Sequence, residues 1–292
     1  MPSGKRARQQ RQQAAPPPVR SKGGPGGARQ ASPRTLAIAG GVIAFVILAV
    51  VLAVVLSNGG SSSPGTSYDG TTIGVVAGTP AIGSSSGPDA LFKAKDVSTL
   101  LQGIPQNGFV LGRPNAPVTL VEYIDLQCPV CDAFETNEFP TLVQQYVRPG
   151  KLKIEMKTWN ILDANDGTVD SLRGQKATIA ASMQNKAFNF AAVLYDNQGT
   201  EGTNWMTDGT ISNIAASVDG LNTAQFVRDA NSSATASLIR QIDAYGNAHF
   251  SATPTLLLAK GNGTPHLFGA GWGQPPNPNP ASLKAAIDKL LK

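Results

Sequence analysis

The chain has 292 residues and a net charge of +5 that is unevenly spread. Eight of its 24 Lys and Arg residues fall in the first 34 positions, where there is no acid, leaving 16 against all 19 Asp and Glu residues beyond them. The bulk of the chain is therefore slightly acidic, which argues against a nucleic-acid-binding domain.

Residues 1–34, rich in Arg, Gln, Pro and Gly, read as a disordered basic tail. Residues 35–56 follow, with an uncharged apolar run from Leu36 to Leu56. About 20 such residues span a ~30 Å hydrocarbon core, so a transmembrane helix is expected. The basic flank precedes the span and the next basic residue after it is Lys93, which places the N-terminus in the cytoplasm and exports the rest. A cleaved signal peptide would have a shorter apolar region and a small-residue cleavage site, so an uncleaved anchor is expected. Residues 57–88, dominated by Gly, Ser, Thr and Pro, read as a flexible tether. The remaining segment, 89–292, is long enough for one domain with a sizeable core.

Within that segment Pro117–Ile124 (PVTLVEYI) has the composition of a buried strand. It runs into a helix that starts at CPVC (128–131) and is expected to reach about Val147, with Phe134, Phe139, Leu142, Val143 and Tyr146 near helical spacing. A second strand is expected over Lys151–Trp159. A helical insertion of about 165–230 opens with one Ala-rich helix over 171–198 and continues with Ile211, Ile214, Ala215 and Val218 on one face. A further helix over Ser233–Ala248, strands over Thr255–Ala259 and His266–Gly269, and a last helix after Asn279-Pro280 complete an α/β pattern. Leu283, Ala286, Ile287 and Leu290 form the core side of that last helix. The three tryptophans, the Phe188–Phe190–Leu194 cluster and the two histidines read as packing or surface residues.

Cys128 and Cys131 are the only cysteines. Zinc needs four ligands, and His249 and His266 have no suitable spacing. A c-type haem would need His where Asp132 stands. A structural bridge over so short a loop contributes little entropy. A redox-active dithiol in an exported domain remains as the expectation. Pro129 would take the first helical position, which leaves Cys128 at the helix N-terminus, where free N–H groups and the dipole stabilise a thiolate. Cys128 is expected as the exposed attacking and leaving sulfur, and Cys131, deeper on the same face, as the resolving one.

VTLVEYIDLQCPVCDAFE resembles the active-site segment of DsbA-like thiol–disulfide oxidoreductases, which have the thioredoxin fold. The likeness continues through FNFAAVLYDNQ (188–198), VDGLNTAQFVRD (218–229) and SATPTLLLAKG (251–261), covering roughly residues 96–292 in order. It implies that Thr253-Pro254 is a cis-proline loop against the cysteines, whose backbone pairs with an extended substrate peptide. It also implies that Glu122 is a partly buried acid that relays the proton of Cys131; a salt-bridged strand residue is the alternative. Asp125 reads as a solvated turn residue or helix cap. Strong oxidants of this family carry His as the second residue between the cysteines, whereas this chain has Val130, so a less depressed Cys128 pKa is expected. Taken with the apolar run, the charge distribution and the dithiol, the resemblance leads to the expectation of a monomeric, membrane-tethered oxidase of exported cysteine-containing proteins, with no organic cofactor, no metal and no nucleic acid. Its reoxidising partner would be a membrane protein, either DsbB-like or a vitamin K epoxide reductase homologue. Two other readings stay open: a tethered disulfide reductase or isomerase, and a non-catalytic module that binds extended peptides at Thr253-Pro254.

Overall fold

The computed structural model describes residues 71–273 and 277–292. The expected basic tail, the span at 35–56 and the first part of the tether lie outside these residues. Among the described residues no helix is long and apolar enough to cross a membrane.

The domain is built on a six-stranded mixed sheet. A helix, α1 (Ala94–Leu101), leads into a short hairpin of β1 (Gln106–Asn107) and β2 (Val110–Leu111). Then come β3 (Val118–Ile124), α2 (Pro129–Asn137), α3 (Phe139–Leu142) and β4 (Leu152–Thr158). The helical insertion contains α4 (Asp163–Asp166), α5 (Asp170–Ser182), α6 (Ala187–Asp196), α7 (Asp208–Ala216) and α8 (Thr223–Ala230). The chain returns through α9 (Ser233–His249), β5 (Thr255–Lys260), β6 (His266–Ala270) and α10 (Pro280–Leu290). Strand order is β1-β2-β4-β3-β5-β6, with β3 parallel to β4 and the other pairs antiparallel. The expected α/β class and the strand, helix, strand run around CPVC are present; α1 and the β1–β2 hairpin are elements the sequence pattern did not signal.

All seven residues of β3 are buried. Successive side chains of a strand point to opposite faces, so Glu122 and Tyr123 face opposite layers. Tyr123 stacks on Tyr245 of α9 and packs against Phe250. The other layer carries α2 and α10, where Phe134 meets Trp272 edge to face and Lys284 pairs with Glu138. Leu283 and Ile287 of α10 are buried as expected, with Ala286 and Leu290 packed beside them.

Two expected helices are broken. The CPVC helix does not run on as one α-helix to Val147. Pro140 has no N–H for the ladder, α2 ends at Asn137, α3 follows, and Val143–Val147 continue as a π-helical turn. The Ala-rich helix is divided into α5 and α6 because Asn185 takes left-handed backbone (φ 57) and the Lys186 N–H returns to the Ala181 carbonyl.

The expected tether also ends earlier than residue 88, because residues 71–88 are bound to the helical insertion. Gly83 N–H donates to Leu221 O (2.9 Å), Ser84 N–H to Ala216 O (2.7 Å) and Thr223 N–H to Ala81 O (3.1 Å). The Ser84 bond satisfies the Ala216 carbonyl at the end of α7, which the helix itself cannot use. Asp219 accepts from the N–H and hydroxyl of Ser85 and from Ser98 of α1. Ile73 is buried, and its backbone exchanges two hydrogen bonds with the Asn231 side chain. A Cβ on Gly83 would lie 2.4 Å from the carbonyl oxygens of Ala215 and Val218, so glycine here serves close approach and not flexibility. A chain starting at residue 89 should therefore unfold at lower urea concentration than one starting at 71. Asp219→Asn in the longer chain should cost about 1–2 kcal/mol. Equal midpoints for the two chain lengths would show that 71–88 contributes nothing to the fold.

Candidate functional site

The site forms where β3 ends and α2 begins. Cys128 is the N-cap of α2, in extended backbone, and Pro129 fills the first helical position, as expected. Both thiols are free. Cys131 is 0% exposed and Cys128 only 5%, so the outer cysteine presents a narrow face and not the exposed thiol expected from sequence. The cover is the loop that carries the cis Thr253–Pro254 bond: the Cys128 thiol lies 3.8 Å from the Thr253 carbonyl oxygen. Val130, between the cysteines, is exposed.

The two thiols are electrostatically unequal. The Cys128 pKa is drawn down to about 6, first by the hydrogen bond from the Cys131 thiol, and further by Thr253 and the N–H groups of Cys131 and Val130, against burial. Cys131 is pushed well above the ordinary thiol value by burial and by the neighbouring Cys128 sulfur. At neutral pH the reduced pair is thus a thiolate at Cys128 beside a thiol at Cys131. The apolar Val130 offers the thiolate no side-chain donor, in keeping with a pKa above the ~3.5 of the most oxidising relatives.

Glu122 sits in the middle of the central strand, across from Met156 and Leu256. It is 0% exposed rather than partly buried, and neither carboxylate oxygen has a hydrogen-bond partner. The salt-bridge alternative does not hold, since among the described residues no cation pairs with it. Burial pushes its pKa up to about 8. Its charge acts on Glu135, one turn beyond Cys131 on α2, which burial first, then Glu122 and Asp132, raise well above the carboxylate range. The two acids form a buried pair that binds protons at neutral pH. Glu135 was not singled out from sequence; its position four residues after Cys131 was the available signal.

Asp125 is a buried anchor, not a solvated turn residue. One carboxylate oxygen accepts from Ser171 Oγ (2.7 Å) and the N–H groups of Ile161 (3.0 Å) and Leu162 (3.1 Å), and the other from Gln127 N–H (3.1 Å). Burial raises its pKa to about 7 against these four donors. The carbonyls of the loop are also taken by the insertion: Tyr195 donates to Asp125 O (3.0 Å), and Gln198 to Leu126 O (3.0 Å) and Cys128 O (3.3 Å). No pattern in the sequence signals these two residues, because they meet the loop only through the fold of α6. Among the described residues no His, Cys, Asp and Glu group could hold a metal ion. His249 stacks on Tyr245, and His266 lies on β6, an outer strand of the sheet, so neither joins the site.

The buried acids set a pH dependence. A carboxyl whose folded pKa lies above its unfolded value costs the fold nothing by ionisation below the unfolded pKa, and stability falls as pH rises from there to the folded pKa. For Glu122 the window is about 4.5 to about 8. In the oxidised protein, where neither cysteine titrates, Glu122→Gln should raise stability at pH 7 by roughly 2–3 kcal/mol and leave it nearly unchanged at pH 4. Part of the slope should persist through Glu135. A variant with the parent's full pH slope would contradict proton retention at Glu122.

A family model described as Thioredoxin matches residues 105–274, more than half of the chain. A probable disulfide bond formation protein D of Bacillus anthracis is 26% identical over 183 residues, covering 62% of this chain and 77% of the relative. One of Bacillus cereus is 28% identical over 185 residues, covering 62% and 78%. The crystal structure of oxidised BdbD from Bacillus subtilis shares the fold, with a TM-score of 0.53 at 20% identity over 64% of this chain and 97% of that one. With a dithiol at the start of α2 and the Thr253–Pro254 loop across it, the chain belongs to the thioredoxin family, as a thiol–disulfide oxidoreductase.

Proposed function

We propose that the protein is a membrane-tethered oxidase that introduces disulfides into exported proteins through Cys128 and Cys131. The observation that carries this reading is the inequality of the two thiols. A thiolate stabilised at Cys128 is a good leaving group, which shifts the couple towards the oxidant side.

In the forward reaction a substrate thiolate attacks Cys128 Sγ of the Cys128–Cys131 disulfide. A substrate–Cys128 bond forms, the Cys128–Cys131 bond breaks, and the electron pair leaves on Cys131. That sulfur takes up a proton, because its pKa lies far above neutral. A second substrate thiolate then attacks the substrate sulfur of the mixed disulfide. The substrate disulfide forms and Cys128 departs as the thiolate. Two electrons now reside on the dithiol, with no cofactor needed, and a membrane partner of the DsbB or vitamin K epoxide reductase kind would remove them. Glu122, paired with Glu135 under the turn that follows Cys131, is suited to hold the proton that Cys131 exchanges. Pro129 fixes the start of α2, Val130 adds an apolar contact beside the sulfur, and the Thr253–Pro254 loop would align an extended peptide across Cys128. The run at 35–56 would anchor the chain, and a single domain would act as a monomer.

Cys131→Ser carrying glutathione in disulfide linkage at Cys128 should exchange it for reduced exported proteins, releasing glutathione and accumulating thiol-reducible adducts, and Cys128→Ser should form none. If Cys128→Ser retained full cellular function, the peptide-binding alternative would replace the oxidase. Adducts dominated by already oxidised, mispaired substrates would favour the isomerase.

A further inference from the structure

We propose that Gln127 is a positioning residue for Cys128: its side-chain amide ties the peptide that enters the nucleophilic cysteine to the helical insertion, and so holds the sulfur against the N–H groups of α2. This rests on CPVC as the reacting pair, but not on the direction of electron flow.

Gln127 is fully buried immediately before Cys128, where an apolar side chain would serve packing alone. Its amide instead joins three segments distant in sequence. Nε2 donates to Asp163 Oδ1 (3.0 Å) and Ser171 Oγ (2.8 Å), with Thr168 Oγ1 at 3.4 Å, and Oε1 accepts from Gly202 N–H (3.2 Å). The partners are themselves fixed. Asp163 accepts from the N–H groups of Ser171 and Leu172 at the start of α5. Gly202 lies in the loop held to Asp170 through Trp205 and Met206. Gly174 of α5 closes the contact, since a Cβ there would lie 2.6 Å from the Leu126 side chain.

The consequence for Cys128 is geometric. Its N–H donates to Asp125 O (3.1 Å), and its carbonyl accepts from Asp132 N–H (3.0 Å) and from Gln198. With Gln127 anchored, both peptide planes flanking Cys128 are fixed, and the sulfur has only its χ1 rotation. It then sits continuously before the Val130 and Cys131 N–H groups and the Cys131 thiol. When Gln127 loses its partners the entering plane can rock, and the thiolate is stabilised for only part of the time. The couple should then become less oxidising.

The test compares the full-length protein with Gln127→Leu, which keeps the volume and removes the amide, and with Gln127→Asn, which keeps an amide too short to reach both Asp163 and Gly202. The measurements are Cys128 thiolate absorbance against pH, the dithiol–disulfide equilibrium with glutathione, and the thermal midpoint. Positioning predicts that Gln127→Leu raises the Cys128 pKa towards the ordinary thiol value. It also predicts a roughly tenfold shift of the equilibrium towards the disulfide, ~30 mV more reducing. Gln127→Asn should fall between Gln127→Leu and the parent. A lower thermal midpoint with an unchanged titration and equilibrium in both variants would overturn the proposal and leave Gln127 a structural residue. If Gln127→Leu does not fold, the same two readings on Gln127→Asn decide the question.

Discussion

The rest of the site depends on one contact, the Cys131 thiol donating to the Cys128 sulfur at the N-terminus of α2. It fixes which sulfur carries charge and which carries the proton. Pro129 starts the helix without an orphan N–H, the cis-proline loop closes over the thiolate, and β3 delivers the loop at the sheet's carboxyl edge. The helical insertion is needed because a loop entering a buried cysteine has polar groups that water cannot reach. Tyr195 and Gln198 take its carbonyls, while Asp125 and Gln127 reach back into the insertion. The insertion is thus part of the active site's construction and not an appendage beside it.

Beneath this contact lies an arrangement that costs stability. Glu122 and Glu135 are buried carboxyls with no cation paired to them among the described residues, held neutral by their surroundings. Burying such groups costs stability, which fits the proton-holding role proposed for Glu122. A thiol whose pKa lies far above neutral needs a proton donor and acceptor on its buried side, and a carboxyl poised near neutral pH is matched to that task.

The parts of this molecule that read well from sequence are those set by local rules. The β-branched run of Val118–Ile124, the Cys128-Pro129 helix start and the Asn279-Pro280 cap each carry their own signal, and the DsbA-like segments supplied the order of the remaining elements. What did not read are features made by distant segments meeting. Ser85 and Asp219 are separated by 134 positions, and Gln127 meets Gly202 only through the fold of the insertion. Gly and Ser in 71–88 suggested flexibility because composition cannot distinguish a glycine that lets backbone approach a helix end from one in a free chain. Asp125 looked solvated because a turn aspartate usually is, and three of its four donors, Ile161, Leu162 and Ser171, come from two segments beyond β4. The interruptions at Pro140 and Asn185 had local signals that the apolar spacing outweighed.

The reduction potential of the Cys128–Cys131 couple, measured against glutathione, tests the account most directly. A thiolate stabilised at Cys128 over a buried neutral Cys131 predicts an oxidant's value, about −120 to −180 mV. A value near −270 mV, that of a thioredoxin-like reductant, would contradict the assignment of this site as an oxidase.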